Sequence, residues 1–569
     1  MNYDELKETS IWCLYEKARN YNNMIGIYTD TDKNYRMYNG DQWHGLKAKG
    51  IEPVQLNIIK PIVKYKVGTI NNNLYLPVYS ADNFDNNEFK EIAIKTCELL
   101  NKLAAKVWEN DSMDYKARSI SKHSAINDEC PVYVTYDNET NLPIHEILSK
   151  NDVCYGNEND SNIQNQPYIL IKQRKPVINI IEMARKEQIS EDKIQYILSD
   201  NNTSEEAGDS SKLEIDDMCT LITKLYKENG TVHFSQATRF CEIKEDKDTG
   251  LTLYPLTHML WEEKEGSARG EGEVRFLIPN QLEINKTIMR RLISAKTTAY
   301  PQKIVDISKI QNPNALNTTG SLIKANGQTV DDVRKIVGVI NPAPMATDVE
   351  KVMNELISTT RELAGAGDIA TGDINPESAS GKAILAVQQA SQLPTNEQTL
   401  ALKTTLEDLA RIWLDMWKTY ATDGLTINYE NKNSMTGETE TNPVKVPYSV
   451  LQSLQASVKI DITPKSPFDK FAQELSIENM LKAGYFSQEK LSELEVYVDL
   501  LDDDSSMPKS KLQEAIKRMK ENQQKISEIQ TQAQQLQMKA NQYLGIQQDI
   551  ASIGQKGTEL YNQAIPQEG

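Results

Sequence analysis

Apolar residues along this chain recur with two different periods, and the changes of period divide it. From Asn86 to Asn110 the positions Phe89, Ile92, Ala93, Leu99, Leu100, Leu103 and Val107 follow a spacing near 3.6, which predicts an amphipathic helix packed on a sheet. Short runs rich in Val, Ile and Tyr at 131–136 (PVYVTY) and 168–173 (YILIKQ), then at 219–227, 231–234 and 251–254, read as strands. Asn229-Gly230 is a hairpin turn signal, and 157–166 is a polar turn region. The run 200–211 (DNNTSEEAGDSS) is acidic, small and nearly free of apolar residues, an exposed loop to which the sequence gives no role. A mixed α+β region therefore extends to about Gly272.

Beyond it the helical period takes over. Between Leu277 and Ala299 the residues Ile284, Ile288, Leu292 and Ala295 form one apolar stripe, with Lys286 and Arg290 on the opposite face. Pro301 ends this helix, and the stretch to Pro344 alternates Pro and Gly with short β-type runs, predicting a small non-helical module. A second helix opens at Thr347, with Glu350 placed to complete a capping box, and runs to about Ala364. Gly365-Ala-Gly367 stops it, and Asn375-Pro376 restarts a helix after a loop. Pro394 should kink that third helix, Thr395 and Gln398 offer a new capping box, and the helix ends near Ala421. Strand-like segments follow at 425–429 and 458–462, and from Pro467 onward the pattern is helical. In the Gln-rich terminus Ile526, Ile529, Ala533, Leu536, Ala540 and Tyr543 form a stripe that suits either packing within one subunit or a self-associating helix.

Length and charge narrow the possibilities. The 569 residues exceed what one hydrophobic core usually organises, so two to four units are expected. A net charge of −18 excludes a protein that grips phosphates over its whole surface. Locally the balance reverses: from Gln281 to Met345 there are nine basic residues against four acidic ones. The basic set is Lys286, Arg290, Arg291, Lys296, Lys303, Lys309, Lys324, Arg334 and Lys335, and it suits either DNA contact or an exposed helix face that meets acidic neighbours. Six scattered cysteines without a CxxC pair suggest a reducing compartment and no zinc ribbon. The first twenty residues lack the apolar core of a secretory signal, and no stretch approaches the roughly 18 to 20 apolar residues a membrane span needs, so a soluble protein is expected.

Several segments resemble the portal proteins of tailed bacteriophages. They are Arg36-Met-Tyr38-Asn-Gly40-Asp-Gln42-Trp43, Asn57-Ile-Ile-Lys60-Pro61, and Gly270-Glu-Gly272-Glu273 leading into Leu277-Ile-Pro279-Asn280-Gln281. The most specific is Glu362-Leu-Ala-Gly365-Ala-Gly367 through Asn375-Pro-Glu377-Ser-Ala-Ser380-Gly381-Lys382-Ala-Ile-Leu385, and the order of elements agrees over nearly the whole chain. The resemblance implies an α+β portal-type subunit. Its wing would be 1–276 and 423–465, its stem helices 277–300 and 347–364, and its clip 301–346. A tunnel loop would span 365–378, a long kinked helix 379–422 and a helical crown 466–569.

The resemblance further implies a homo-oligomeric, dodecameric ring at one capsid vertex of the virion, assembled in the host bacterial cytoplasm. Double-stranded DNA would pass through it in packaging and ejection, without sequence preference. Its other partners would be the major capsid protein, the terminase during packaging, and head-tail adaptor or tail proteins afterwards, with no membrane. The tunnel-loop residues Gly365, Gly367, Asp368, Thr371, Gly372, Asp373, Asn375 and Glu377 include no basic side chain, so the loop could press on DNA without binding it tightly. The alternative is a head-tail joining or scaffold protein that does not thread DNA.

Enzyme readings find little support. Around Ser380-Gly381-Lys382 a phosphate loop would need glycine where Pro376 stands and Ser or Thr where Ala383 stands. His145-Glu146 begins like a zinc-protease helix, but the second histidine would fall at Ser149. The histidines at 44, 123, 145, 233 and 258 are too dispersed to suggest ligands. No catalytic residue, cofactor or metal is expected, and the packaging motor itself is disfavoured.

Overall fold

The computed structural model describes residues 7–45, 52–81, 87–200, 217–299, 302–317, 322, 324–326, 335–340, 348–367, 393–432, 439–454 and 456–464, and in the C-terminal part 516, 518, 519, 534, 535, 538 and 551–559. The chain divides into two compact units, 1–463 and 464–569. Beyond Pro464, the last residue of a strand, every described residue is helical, as the pattern predicts, while the stripe residues Ile526, Ile529, Ala533, Leu536, Ala540 and Tyr543 lie outside the described residues.

The first unit begins with helices α1 (Ser10–Met24), α2 (Ile27–Asn39) and α3 (Ile59–Ile70), then strand β1 (Asn73–Ala81) and helices α4 (Asn87–Asn110) and α5 (Met113–Asn127). Strands β2 (Glu129–Asp137), β3 (Leu142–Ile147), β4 (Val153–Tyr155) and β5 (Tyr168–Pro176) precede helices α6 (Val177–Lys186) and α7 (Glu191–Ile194). Next come β6 (Met218–Glu228), β7 (Thr231–Ala237), β8 (Glu242–Asp248) and β9 (Leu256–Leu260). The long helix α8 (Glu273–Ala299) leads to β10 (Gln302–Val305), β11 (Val337–Ile340) and α9 (Asp348–Leu363). Helix α10 (Asn396–Tyr420), strands β12 (Leu425–Lys432) and β13 (Thr439–Val446), helix α11 (Tyr448–Ser453) and strand β14 (Ala456–Pro464) complete the unit.

Its two larger sheets are antiparallel and ordered β4-β5-β6-β7-β8 and β3-β2-β9, and three two-stranded ladders pair β1 with β14, β10 with β11 and β12 with β13. The turn between β6 and β7 takes the positive φ values that Asn-Gly allows, 52° at Asn229 and 90° at Gly230, so the hairpin signal is met by its geometry. On one face of the five-stranded sheet Ile11, Trp12 and Tyr15 of α1 cover Leu170, Ile222 and Ala237. Elsewhere on the sheet Ile180 and Ala184 of α6 cover Leu221 and Ile243. The largest core joins α3, α4, α5, α8 and α10 to the three-stranded sheet, with Trp261, Trp413 and Trp417 fully buried. The predicted stripe of α4 supplies Ala93, Leu99, Leu100, Leu103 and Val107 to it, though Ile92 is exposed.

Three expectations give way. Leu251–Tyr254 is not a strand: the Asp415 carboxylate accepts from the backbone N–H of Thr252 (2.8 Å) and Leu253 (2.9 Å), and Gln164 accepts from Tyr254 N–H (2.8 Å). Side chains thus take the hydrogen bonds a ladder would have used. The capping box at Thr395 does not form, because its side chain makes no cap bond and a 3-10 turn over Leu393–Thr395 leads into α10 instead. Helix α8 starts at Glu273 rather than Leu277, which carries Pro279 inside the helix. The module between α8 and α9 is β-containing as expected, with Gln302 paired to Ile340 and Val305 to Val337.

Candidate nucleic-acid and subunit interface: the α8–α9 helix pair

Why α8 starts early is visible at its first residue. Glu273 is buried and accepts from Lys66 Nζ at 2.6 Å and from the Trp261 indole at 3.2 Å, and its carboxylate also suits the positive end of the helix dipole. Just before it, Gly270 and Gly272 lie so close to the chain at Asp128 and Glu262 that an added Cβ would fall 2.8 Å from backbone atoms. Only glycine permits that approach. Asp128 accepts from Gly272 N–H (2.8 Å) and from Lys150 Nζ (2.5 Å).

About two turns further α8 carries two buried amides four residues apart, Gln281 and Asn285. Gln281 accepts from Ile58 N–H at 2.9 Å and donates to the Leu56 carbonyl at 2.7 Å. Asn285 accepts from Leu56 N–H at 3.1 Å and donates to Gln42 Oε1 at 2.5 Å. Gln42 itself donates to the Met37 carbonyl, and Asn57 donates to the Tyr38 carbonyl, both at 3.0 Å. Residues from three separated sequence motifs thus converge on one side of α8. The side-chain amides satisfy an extended segment at 52–58 that has no sheet partner among the described residues.

Behind this root sits a second buried charge group. Arg269 pairs with Glu129 and, at 2.9 Å, with Glu158, donates to the Val153 carbonyl at 2.9 Å, and lies 4.5 Å from the centroid of the Tyr155 ring. Burial by itself would depress the guanidinium, but the Glu129 and Glu158 carboxylates hold it well above its usual range, so it stays charged. His258, hydrogen bonded to the Tyr155 hydroxyl at 3.1 Å, is pushed down to about 4 by burial and by Arg269, and is therefore neutral. His145, which begins the failed zinc pattern, is also buried. The Trp413 indole donates to its Nε2 at 2.7 Å, so the Nδ1–H faces Asp111 Oδ2 at 2.6 Å. Burial depresses it, and it serves as a neutral strut between β3 and α10.

The second half of α8 has different surroundings. Leu292 and Ile293 are 39% and 40% exposed, and Ala295 and Lys296 are exposed too. Helix α9 runs antiparallel beside it, since Asn280 donates to Thr360 at 3.2 Å while Arg291 pairs with Glu350 at 3.1 Å. Glu350, which the sequence assigned to a cap with Thr347, therefore ties the two helices together; Thr347 lies outside the described residues.

The basic residues picked out by sequence are not concentrated into one cluster of bare charge. Glu283 takes both Lys286 (3.4 Å) and Arg290 (3.0 Å), Lys309 pairs with Asp306 (3.4 Å), and Lys303 donates to the Leu316 carbonyl (2.6 Å). Lys324 and Lys335 are exposed, and Arg334 lies outside the described residues. Of the loop residues, Gly365 and Gly367 are described, while Asp368, Thr371, Gly372, Asp373, Asn375 and Glu377 are not, nor is Lys382. Gly365 has φ 68° and ends α9: its N–H donates to the Glu362 carbonyl and that of Ala366 to the Arg361 carbonyl. A Cβ here would fall 2.6 Å from Pro394 Cβ, so the end of α9 lies against the turn that opens α10. Among the described residues no group of three His, Cys, Asp or Glu is placed to hold a metal, and no helix is long and apolar enough to cross a membrane.

An α+β body that leads into two antiparallel helices, one of them anchored at its root and the two joined by a β-ladder module, has the make-up of a bacteriophage portal protein. A family model described as Phage P22-like portal protein matches residues 138–562, well over half of the chain, and the chain belongs to that family. Comparison with curated proteins gives no match. Membership makes this a structural component of the virion capsid that works in an oligomeric assembly.

Proposed function

We propose that the chain is one subunit of a closed homo-oligomeric ring at a single capsid vertex, twelve copies in the form that the portal resemblance implies. Double-stranded DNA enters and leaves the head through its central channel. In this reading α8 and α9 are the stem and 301–346 the clip, where the terminase docks during packaging and the head-tail adaptor and tail proteins dock afterwards. Residues 1–276 and 423–465 form the wing against the major capsid protein, 365–378 the tunnel loop, 379–422 the kinked helix and 466–569 the crown. The ring assembles in the bacterial cytoplasm and hydrolyses no nucleotide.

The observation that carries the reading is the half-covered helix pair. Leu292 and Ile293 on α8 and Val352 on α9, the last 57% exposed, are apolar positions of amphipathic helices that the described residues leave partly in water. Apolar area left in water is removed at a gain of about 25 cal/mol per Å² when another surface covers it, and neighbouring copies of the same pair would do so around a ring. The test is native mass spectrometry and negative-stain imaging of the full chain, alone and with time to assemble. We expect closed rings with a central hole wide enough for duplex DNA, and loss of those rings in Leu292→Glu with Ile293→Glu while the monomer keeps its helical circular dichroism. Monomer alone across concentration and salt overturns the ring. Assemblies without a hole favour a joining or scaffold role that threads no DNA.

A further inference from the structure

Of the positive charges that the sequence made conspicuous, Lys286, Arg290, Arg291 and Lys309 are paired with carboxylates inside the subunit, whereas a second set that it did not single out is not. Helix α3 carries Lys60 and Lys64 four residues apart and has no carboxylate of its own. Helix α5 carries Tyr115, Arg118 and Lys122 at spacings of three and four, with Asp114 as its one acidic residue. The two helices pack together, and between them opens a cleft of about 220 Å³ lined by Tyr38, Lys64, Tyr115, Arg118, Ser119 and Lys122 over a floor of Val63 and Val67.

Lys64, Arg118 and Lys122 line this cleft, and Lys60 stands beside it at the Tyr38 ring. Among the described residues none of Lys60, Lys64, Arg118 and Lys122 pairs with a carboxylate; nearby Asp111 is taken by Lys116 and His145, and Asp41 by His44. Lys60 and Lys122 instead set their ammonium groups 5.8 Å from the centroid of the same Tyr38 ring, one of the weaker ways to hold a cation. Lys64, Arg118 and Lys122 are exposed, and Tyr115 beside them is 74% exposed, a large aromatic face left in water. Four cations held near one another repel, and on a chain of net charge −18 that arrangement suits a ligand that supplies several negative charges together.

We infer that this α3–α5 cleft is a binding site for the phosphate backbone of duplex nucleic acid. Phosphates are the ligand for which compact lysine ammoniums, a forked guanidinium, a serine hydroxyl and an exposed tyrosine make a matched set, and contact of this kind reads no sequence. The acidic remainder of the surface repels the same polyanion and so confines contact to the cleft. The inference concerns a surface other than the basic residues of α8 and the module that follows it, and it stands whether or not subunits close into rings.

The experiment uses the full chain and a fluorescein-labelled 30-base-pair duplex of arbitrary sequence, followed by anisotropy between 50 and 200 mM salt. Each phosphate contacted contributes about −0.9 to the slope of log affinity against log salt. We expect the triple variant Lys64→Gln, Arg118→Gln, Lys122→Gln to lose about tenfold or more in affinity at low salt and to flatten the slope by about three. Lys286→Gln with Arg290→Gln should change affinity less than about twofold, since Glu283 already holds both. All five positions are exposed, so circular dichroism and the unfolding midpoint should match those of the unaltered chain. Duplex binding by the triple variant with unaltered affinity and slope overturns the inference. So does poly-L-glutamate binding in the cleft where duplex does not, which would mark an acidic protein segment as the partner. Negative-stain images of the same samples separate this from ring formation: a loss of duplex binding confined to samples that have lost their rings also overturns it.

Discussion

The two halves of α8 follow one sequence pattern in two environments. From Glu273 to Thr287 the stripe is buried, and its polar members Glu273, Gln281 and Asn285 are each matched by a partner on another element. From Ile288 onward the same periodicity continues, yet Leu292 and Ile293 stand in water and the ion pairs are exposed. An apolar stripe thus says that a helix will be covered, not by what. The first half is covered by the body of its own chain; the second has α9 beside it and is otherwise exposed.

The contrast is sharpest in what a broken charge pair should cost. Lys66→Met leaves Glu273 buried without its cation, and removal of one partner from a buried pair typically costs about 3–5 kcal/mol. We expect the first urea-unfolding transition to move down by that amount, with much of it recovered in Lys66→Met combined with Glu273→Leu. If the single variant proves as stable as the unaltered chain, the root is not what fixes α8.

A smaller and pH-dependent effect should come from His258 beneath the root. Burial, then Arg269, holds it down at about 4 in the folded chain, against 6.5 when unfolded. Its contribution to stability is therefore complete above pH 6.5, where both states are neutral. As pH falls the unfolded chain takes up a proton that the folded chain refuses, and stability declines until about pH 4, at roughly 1.4 kcal/mol per pH unit. Urea midpoints measured from pH 7 to 4 should show this decline, and His258→Asn should make it shallower.

The smallest effect belongs to the exposed half. The side chains of Arg291 and Glu350 are 45% and 58% exposed, and such pairs contribute under about 1 kcal/mol. Arg291→Ala should leave the unfolding midpoint nearly unmoved. A large loss there would mean that the second half of α8 is held within the subunit after all.

Much of this molecule could be read from its sequence. The helices α4, α8 and α9, the Asn229-Gly230 hairpin, the stop at Gly365 and the β-containing module after α8 rest on local periodicity and turn chemistry, which act over a few residues and so leave a trace in a short window. The segment 251–254 looked like a strand because its apolar alternation is real, but Asp415, far along the chain, decides its hydrogen bonding. Strand β8 (EIKEDKD) escaped notice because it is an edge strand, and charge at an edge discourages further pairing while hiding the β pattern. The motifs around Gln42, Asn57, Gly270 and Gln281 were legible as family signature, not as one assembly at the base of α8. In the same way a run of lysines and arginines between 281 and 345 looked like the positive site, while Lys60, Lys64, Arg118 and Lys122, dispersed over two helices, did not. Sequence determined where α4, α9 and α10 run, where α8 and α9 stop and to which family the chain belongs, while α1, α2, α3 and α5 went unread because their apolar spacing is less regular. Only the tertiary structure decided which charges are cancelled, because a charge is cancelled by whatever lies within a few ångströms in space, and Arg239 and Glu8, which pair here, stand 231 residues apart.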